Sequence, residues 1–220
     1  MTTVLIADDQ PLQRLGFRML LTGTPGMTPL GEAEHGAEAV RMAAELRPDV
    51  VLMDVRMPGM DGIEATRRIV AAGGRTRVLI VTTFDLDEYA YAGLRAGASG
   101  FLLKDARPEE LIAGIHAVAT GDAVVAPSLT RRLLDTYVHQ VAAPPTAAPD
   151  PRVASLSARE HEVLVAIGRG WTNAEIAERL MLTESTVKKH VSRVLAKVGA
   201  RDRIQAVIVA YDAGLVTPRS

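Results

Sequence analysis

Apolar runs in the first half of the chain end in side chains that can bind metal ions and phosphate. These side chains are Asp8, Asp9, Asp54, Thr82 and Lys104, the one lysine within residues 1–122. Carboxylates placed close together repel each other unless a cation lies among them. Mg²⁺ prefers oxygen ligands and keeps several waters, so it suits a site made of Asp8, Asp9 and Asp54.

Asp54 is the carboxylate best placed to react. It ends the apolar run Val50–Asp54 and precedes a loop that contains a proline and two glycines. Taken alone, such an acid could simply begin a turn. A carboxylate held beside Mg²⁺ can instead attack a phosphoryl group and form an aspartyl phosphate. The transfer then needs charge neutralisation, which Mg²⁺, Lys104 and the Thr82 hydroxyl can supply together.

These residues meet only if the apolar runs are neighbouring strands of one sheet. Segments with apolar residues every three or four positions separate the runs, as in amphipathic helices. Continuous apolar strands indicate a parallel sheet that is buried on both faces. Right-handed crossovers between such strands give a doubly wound five-stranded α/β fold. In this fold, ligands bind at the carboxyl ends of the strands. The predicted strands are Val4–Ala7, Met27–Ala33, Val50–Asp54, Val78–Thr82 and Gly100–Leu103, and the predicted helices are Pro11–Leu21, Gly36–Leu46, Gly62–Ala71, Asp87–Ala96 and Pro108–Ala119.

Composition predicts where the first domain ends. The segment Ala142–Ser155 has four prolines, several small residues and no apolar periodicity. Such a composition favours an extended, semi-rigid linker. We therefore predict an α/β domain in residues 1–122, a helical extension and proline-rich linker in residues 123–155, and a small all-α domain in residues 156–220.

The all-α domain is predicted to contain four short helices. Two capping-box patterns, Ser157-x-x-Glu160 and Thr172-x-x-Glu175, mark the beginnings of the first two helices. Thr183 is a plausible N-cap for the third, which follows the second after a tight turn. The second and third helices together predict a helix-turn-helix arrangement.

The third predicted helix carries basic side chains on one face and valines on the opposite face. A charged face is often only solvated. As the second helix of a helix-turn-helix, however, it fits a recognition helix in the DNA major groove, where lysine can donate to guanine and other cations pair with phosphates. The candidate DNA contacts are Thr183, Ser185, Lys188, Lys189, Ser192, Arg193 and Lys197.

The net charge differs in sign between the two predicted domains. Residues 1–122 have 12 basic and 17 acidic side chains, a net charge of −5, whereas residues 151–220 have 11 and 7, a net charge of +4. This asymmetry suggests nucleic acid as a partner of the second domain. The chain has no cysteine, no signal-peptide pattern and no apolar run near the roughly 20 residues that span a bilayer. We expect a cytoplasmic protein without a membrane partner.

The first domain resembles the receiver domain of two-component response regulators, whose fold is flavodoxin-like. The segments "ADDQ", "RPDVVLMDVRMPGMDG", "VTT" and "GFLLKD" carry this resemblance. It implies that a sensor histidine kinase phosphorylates Asp54 and that the Arg56 backbone carbonyl is a further ligand of Mg²⁺. It also implies that Thr82 and Lys104 are switch residues and that Phe101 is an aromatic ring whose rotamer reports phosphorylation.

The segment "LSAREHEVLVAIGRGWTNAEIAERLMLTESTVKKHVSRVLAKVGARDR" resembles the LuxR-type helix-turn-helix. With the receiver in front, the chain resembles response regulators of the NarL/FixJ class. The resemblance implies a double-stranded DNA operator as partner and a homodimer formed through the last helix, about Arg203–Tyr211. The apolar stripe of that helix, which consists of Ile204, Val207, Ile208 and Tyr211, could equally belong to the core.

We therefore predict a DNA-binding transcriptional regulator, not an enzyme, controlled by phosphorylation of Asp54. One alternative is a DNA-binding regulator that no longer uses phosphate and keeps the receiver only for dimerisation. The complete set of strand-end residues argues against it. A second alternative is an aspartyl-phosphate phosphatase or transferase, an enzyme class that normally has a second acid two residues after its nucleophile. Arg56 occupies that position.

Overall fold

The computed structural model describes residues 1–83, 86–121 and 150–216, which belong to two compact units. The first unit contains β1 (Thr2–Ala7), α1 (Pro11–Thr22), β2 (Met27–Ala33), α2 (Gly36–Leu46), β3 (Val50–Met53), α3 (Gly62–Ala71), β4 (Arg77–Thr82), α4 (Leu86–Arg95), β5 (Gly100–Leu103) and α5 (Pro108–Thr120). The second contains α6 (Pro151–Ala154), α7 (Ala158–Gly168), α8 (Asn173–Leu180), α9 (Glu184–Val198) and α10 (Arg203–Asp212).

The predicted doubly wound fold is confirmed in the first unit. All strand pairs are parallel, in the order β2-β1-β3-β4-β5. The four residues of β3 are buried, because helices cover both faces of a doubly wound sheet. Ala7 pairs with Met53, so β1 and β3 end at the same level, at the point where the strand order reverses.

Three strand boundaries differ from the prediction, and the smallest difference is in β4, which begins one residue early at Arg77. β1 begins at Thr2, two residues early, because Thr2 and Thr3 pair with Met27 and Thr28 of β2. Asp49 also accepts hydrogen bonds from the backbone N–H (2.9 Å) and the hydroxyl (2.7 Å) of Thr3.

β3 ends at Met53, so Asp54 is the first residue after the strand rather than its last. The backbone N–H of Asp54 still donates to the Ala7 carbonyl (2.8 Å), which keeps Asp54 at the sheet edge.

Helices α1 to α5 begin and end within one residue of their predicted limits. Proline begins α1 and α5, where the missing N–H would be unpaired in any case. The Asp61 side chain caps α3 by accepting a hydrogen bond from the Glu64 N–H (2.8 Å). These local signals explain why the helix limits can be read from the sequence.

Both predicted capping boxes form in the second unit. The Glu160 carboxylate accepts from the Ser157 N–H at 2.8 Å, and the Glu175 carboxylate accepts from the Thr172 N–H at 2.7 Å. The helices pack around one apolar cluster that includes Leu164 and Ile176. Among the described residues of the whole chain, no helix combines the length and apolar character needed to cross a membrane.

Residues 151–154 contradict the predicted extended linker. They form the short helix α6, because the Asp150 side chain accepts from the Arg152 N–H (2.9 Å) and Pro151 suits the first helical position. Val153 of this helix packs against the apolar cluster of the second unit. The prediction of an extended segment was wrong here. The remainder of the predicted extension and linker, residues 123–149, lies outside the described residues.

Candidate functional site

The ends of the central strands bring the three predicted carboxylates together. Oxygen atoms of Asp8, Asp9 and Asp54 lie within 4.8 Å of one another. Asp8 is 1% exposed and Asp54 is 5% exposed, whereas Asp9 lies nearer the surface. Parallel strands that end at one level place these residues side by side, as the sequence predicted.

Lys104 and Thr82 lie at the ends of the neighbouring strands. The Lys104 ammonium is 2.6 Å from Asp8 Oδ2 and donates to Asp54 Oδ2 at 2.9 Å, and its side chain is 3% exposed. The backbone N–H of Lys104 donates to the Thr82 carbonyl (2.8 Å), and the Thr82 side chain is buried. We call Asp8, Asp9, Asp54, Thr82 and Lys104 the acidic rim.

Burial and charge act in opposite directions on the acidic rim. Burial raises the pKa of the Asp54 carboxyl, and the hydrogen bond and charge of Lys104 oppose this shift. Burial also disfavours the ammonium of Lys104, but hydrogen bonds to Asp8 and Asp54 outweigh it, so the pKa of Lys104 is raised. Lys104 therefore stays charged and holds both carboxylates.

The acidic rim has the composition of a divalent cation site. Three carboxylates face one ammonium, which leaves an excess of negative charge. Asp9 Oδ1 is buried and, within the described residues, accepts no hydrogen bond. A hard cation such as Mg²⁺ prefers oxygen donors of this kind. Asp8, Asp9 and Asp54 could therefore hold such an ion.

The loop after Asp54 is held closely against the rim. Asp54 Oδ1 accepts from the Val55 N–H (2.8 Å), and the Gly62 N–H donates to the Val55 carbonyl (2.8 Å). A Cβ atom at position 62 would overlap the Asp54 carbonyl oxygen. Only glycine fits there without moving Asp54. The sequence indicated a loop with a proline and two glycines, but it did not indicate this close approach.

A groove of about 360 Å³ adjoins the acidic rim and is lined by Asp9, Arg56 and Tyr89 among others. The Arg56 guanidinium donates to the Tyr89 hydroxyl (3.3 Å) and lies 5.3 Å from the centre of its ring. Sequence reasoning missed Tyr89, because no local pattern connects residues that are 33 positions apart.

Phe101 is fully buried in β5, where it pairs with Ile80. The family resemblance implies that the rotamer of this ring reports phosphorylation. In this structure the ring lies inside the domain.

The predicted recognition helix is α9. Val187, Val194 and Val198 are buried and Val191 is partly buried, so the valine stripe faces the core as predicted. Thr183 caps the helix by accepting from the Thr186 N–H (3.3 Å). The remaining predicted contacts lie on the exposed side: Ser185, Lys188, Lys189, Ser192, Arg193 and Lys197.

The basic residues of α9 differ in their partners. Lys188, Lys189 and Arg193 form no ion pair with any described residue. Lys197, in contrast, lies 2.6 Å from the buried carboxylate of Glu160. The hydrogen bond from Lys197, with one from the Ser157 backbone, lowers the pKa of Glu160 to about 2. Lys197 therefore links α9 to α7 within the domain.

The apolar stripe of α10 lies largely inside the second unit. Ile204 and Tyr211 are buried, and Val207 and Ile208 are partly buried. The sequence left open whether this stripe is core or dimer surface. The structure assigns Ile204 and Tyr211 to the core of the domain, and the partly buried pair remains as candidate surface.

The chain thus combines an acidic rim on a doubly wound sheet with a helix-turn-helix domain. The family "Response regulator receiver domain" matches residues 4–116, and the family "Bacterial regulatory proteins, luxR family" matches residues 154–210. The chain belongs to the DNA-binding transcriptional response regulators, as the sequence predicted.

Individual relatives agree with this assignment. The chain is 44% identical to the uncharacterized transcriptional regulatory protein YxjL of Bacillus subtilis, over 97% of this chain and 96% of that protein. It is 34% identical to the nitrate/nitrite response regulator protein NarL of Escherichia coli, over 94% and 93%. The crystal structure of the response regulator ChrA, from a heme-sensing two-component system, has 34% identity and a TM-score of 0.52 over 98% of both chains.

Proposed function

We propose that Asp54 accepts a phosphoryl group from a phosphohistidine of a sensor histidine kinase. The observation that supports this most directly is the buried Asp54 carboxylate, whose Oδ2 lies 2.9 Å from Lys104 Nζ at the end of the central strand. An Asp54 oxygen attacks phosphorus, the nitrogen–phosphorus bond breaks, and the histidine leaves with the bonding electron pair. Such a transfer depends mainly on position and charge neutralisation.

Asp8, Asp9, Asp54 and the Arg56 backbone carbonyl are the proposed ligands of Mg²⁺. The excess negative charge and the unpartnered Asp9 Oδ1 support this assignment. When bound, Mg²⁺ supplies positive charge for the phosphoryl oxygens and reduces repulsion among the carboxylates. Lys104 supplies the second positive charge by leaving Asp54 Oδ2 for a phosphoryl oxygen.

The proposed switch passes through Thr82, Lys104 and Phe101. A phosphoryl group adds negative charge that the Thr82 hydroxyl and the Lys104 ammonium can reach. Both residues lie at the ends of β4 and β5, which are joined by the Lys104 N–H to Thr82 carbonyl hydrogen bond. Their displacement would bias the surface formed by α4, β5 and α5 between two arrangements.

The proposed output is binding of α9 to double-stranded DNA by a homodimer. Lys188, Lys189 and Arg193 support this best because they are exposed and form no ion pair with the described residues, and Thr183, Ser185 and Ser192 lie beside them. Lys197 has a smaller part, since Glu160 already binds it. We assign the receiver to residues 1–122 and the DNA-binding domain to residues 151–220, because Val153 of α6 packs against the apolar cluster of that domain.

The experiment that tests this function uses fluoroberyllate, which mimics the acyl phosphate. The full chain should bind it only with Mg²⁺, change its oligomeric size and bind DNA more tightly. A regulator that uses its receiver only for dimerisation would bind DNA equally well with and without fluoroberyllate. Absence of Mg²⁺-dependent fluoroberyllate binding would reject the phosphoacceptor assignment.

A further inference from the structure

Arg14 is a buried cation that the proposed phosphoryl transfer does not use. It lies on α1, and its side chain is 8% exposed. Its Nη1 donates to the backbone carbonyl of Asp8 (2.8 Å), and its Nη2 donates to Glu34 Oε1 (2.7 Å). Its Nε lies 3.4 Å from Glu32 Oε2. One guanidinium therefore joins the Asp8 backbone to two acids at the end of β2.

The Asp8 residue lies just after β1 and is held at the rim by individual hydrogen bonds. Residues 8–10 lie between β1 and α1, outside regular secondary structure. Asp8 Oδ1 accepts from the Gln10 N–H (2.9 Å), and the Asp8 N–H donates to the Ala33 carbonyl (3.1 Å). The bond from Arg14 satisfies the Asp8 carbonyl and fixes the direction in which Asp8 and Asp9 leave the strand.

Arg14 and Lys104 hold the same residue in different ways. Lys104 contacts the carboxylates of Asp8 and Asp54, which a bound cation and a phosphoryl group would also engage. Arg14 contacts the backbone carbonyl of Asp8, which neither the bound cation nor the phosphoryl group is proposed to contact. Its planar group makes several fixed hydrogen bonds at once, which an ammonium cannot do in the same geometry. Arg14 can therefore keep its contacts when Lys104 changes partner.

We propose that Arg14 is a positioning residue that holds Asp8 and Asp9 in the arrangement that binds the divalent cation. This inference rests on the proposed function of the acidic rim. Residues behind the ligands of a metal ion orient those ligands, and their loss typically lowers metal affinity by about 10–100-fold. Arg14 differs from the usual case because it acts through a backbone carbonyl of a ligand residue.

Removal of Arg14 should change Mg²⁺ affinity in opposite directions depending on whether Arg14 acts through its charge or through its contact with Asp8. If the guanidinium acted only as a nearby positive charge, its removal would reduce repulsion and strengthen Mg²⁺ binding. If it positions Asp8 and Asp9, its removal would weaken Mg²⁺ binding despite the favourable change in charge. The sign of the change in affinity therefore decides between the two roles.

Arg18 provides a matched control on the same helix. It lies 3.2 Å from Glu32 Oε1 and its side chain is 53% exposed. Among the described residues, neither a hydrogen bond nor an ion pair joins it to Asp8, whereas Arg14 donates to the Asp8 carbonyl. Arg18→Gln removes the same charge as Arg14→Gln and also removes a partner of Glu32. It should leave Mg²⁺ affinity unchanged or raise it slightly.

The test is a Mg²⁺ titration of the full chain, followed by the amide NMR shifts of residues 8–10 and 54–56. We expect Arg14→Gln to weaken Mg²⁺ binding by about 10-fold or more, and Arg14→Lys to weaken it although the charge is kept. If Arg14→Gln fails to fold, Arg14→Lys decides. Unchanged or tighter binding in the decisive variant would overturn the proposal. If the wild-type chain itself binds no Mg²⁺, the proposed function of the rim fails instead.

Discussion

The acidic rim and the proposed recognition helix α9 both carry charged side chains, but these side chains have opposite surroundings. In the rim, Lys104 is buried and contacts two carboxylates within the protein. On α9, Lys188 and Lys189 are exposed and form no ion pair with the described residues. A small phosphoryl group requires charges fixed at short range in a dry site. A long polyanion such as DNA requires solvated cations that can exchange counterions for phosphates.

The largest effect should come from removing the reactive carboxylate of the rim. Asp54→Asn should abolish Mg²⁺-dependent fluoroberyllate binding and acyl phosphate labelling, because position 54 then has no carboxylate oxygen to attack phosphorus. Asp61→Asn removes an acid that lines the adjoining groove and preserves an N-cap, so it should retain both. Mass spectrometry after incubation with acetyl phosphate provides the measurement. A labelled aspartate elsewhere in Asp54→Asn would refute the assignment.

Substitution of the exposed lysines of α9 should change DNA affinity and its salt dependence. If Lys188 or Lys189 contacts a base, its substitution by Ala should weaken the free energy of DNA binding by about 1–3 kcal/mol. A lysine that contacts only phosphate should weaken binding to all sequences alike and reduce the salt slope by about one unit. Gel shifts at several salt concentrations measure both quantities. Arg152→Gln is the control, because Arg152 already pairs with Asp150.

If neither lysine variant changes affinity or salt slope, α9 does not enter the DNA groove. If both variants change the salt slope alone, sequence would be read by other residues of the exposed face, such as Ser185 or Arg193.

Substitution of the switch residue Lys104 should leave binding of the phosphoryl mimic intact and abolish the change of oligomeric state that follows it. Lys104→Met removes the ammonium that opposes the effect of burial on Asp54, so the pKa of the Asp54 carboxyl should rise further above its ordinary value. NMR titration of the Asp54 carboxyl carbon measures this rise. With Mg²⁺ the variant should still accept fluoroberyllate near neutral pH, but its oligomeric state should not change. Normal switching in Lys104→Met would show that the signal takes another route.

A smaller effect concerns the ion pair that anchors α9 to its own domain. The hydrogen bond from Lys197 contributes most to lowering the pKa of Glu160, from an ordinary 4.5 to about 2. Because the folded pKa is the lower one, this stabilisation is present above pH 4.5 and is lost progressively as pH falls toward 2. Lys197→Met should therefore destabilise the domain at pH 6 and have a smaller effect at pH 3. Urea unfolding at the two pH values tests this difference, and equal effects would contradict it.

The parts of the structure that could be predicted from the sequence are those encoded locally. Proline at the first position of α1 and α5 and the capping boxes of α7 and α8 fix the beginnings of these helices. Apolar strands and the rule that ligands lie at strand ends were enough to bring Asp8, Asp54 and Lys104 together. These signals involve neighbouring residues or a general property of parallel sheets.

The parts that could not be predicted depend on contacts between distant segments. Gly62 is required because the Asp54 carbonyl lies against it, and Arg14 reaches Glu34 across 20 positions. Neither contact leaves a periodic pattern in the sequence. α6 was missed for another reason, since the many prolines of its segment outweighed the local cap at Asp150.

We propose that phosphorylation of the buried rim controls DNA binding by the exposed helix α9. The most direct measurement compares the DNA affinity of the full chain with and without fluoroberyllate and Mg²⁺, in the wild type and in Asp54→Asn. We predict that fluoroberyllate raises the affinity of the wild type together with a shift to dimer, and that it changes neither in Asp54→Asn. Equal DNA affinity of the wild type in both conditions, despite demonstrated fluoroberyllate binding, would contradict the claim.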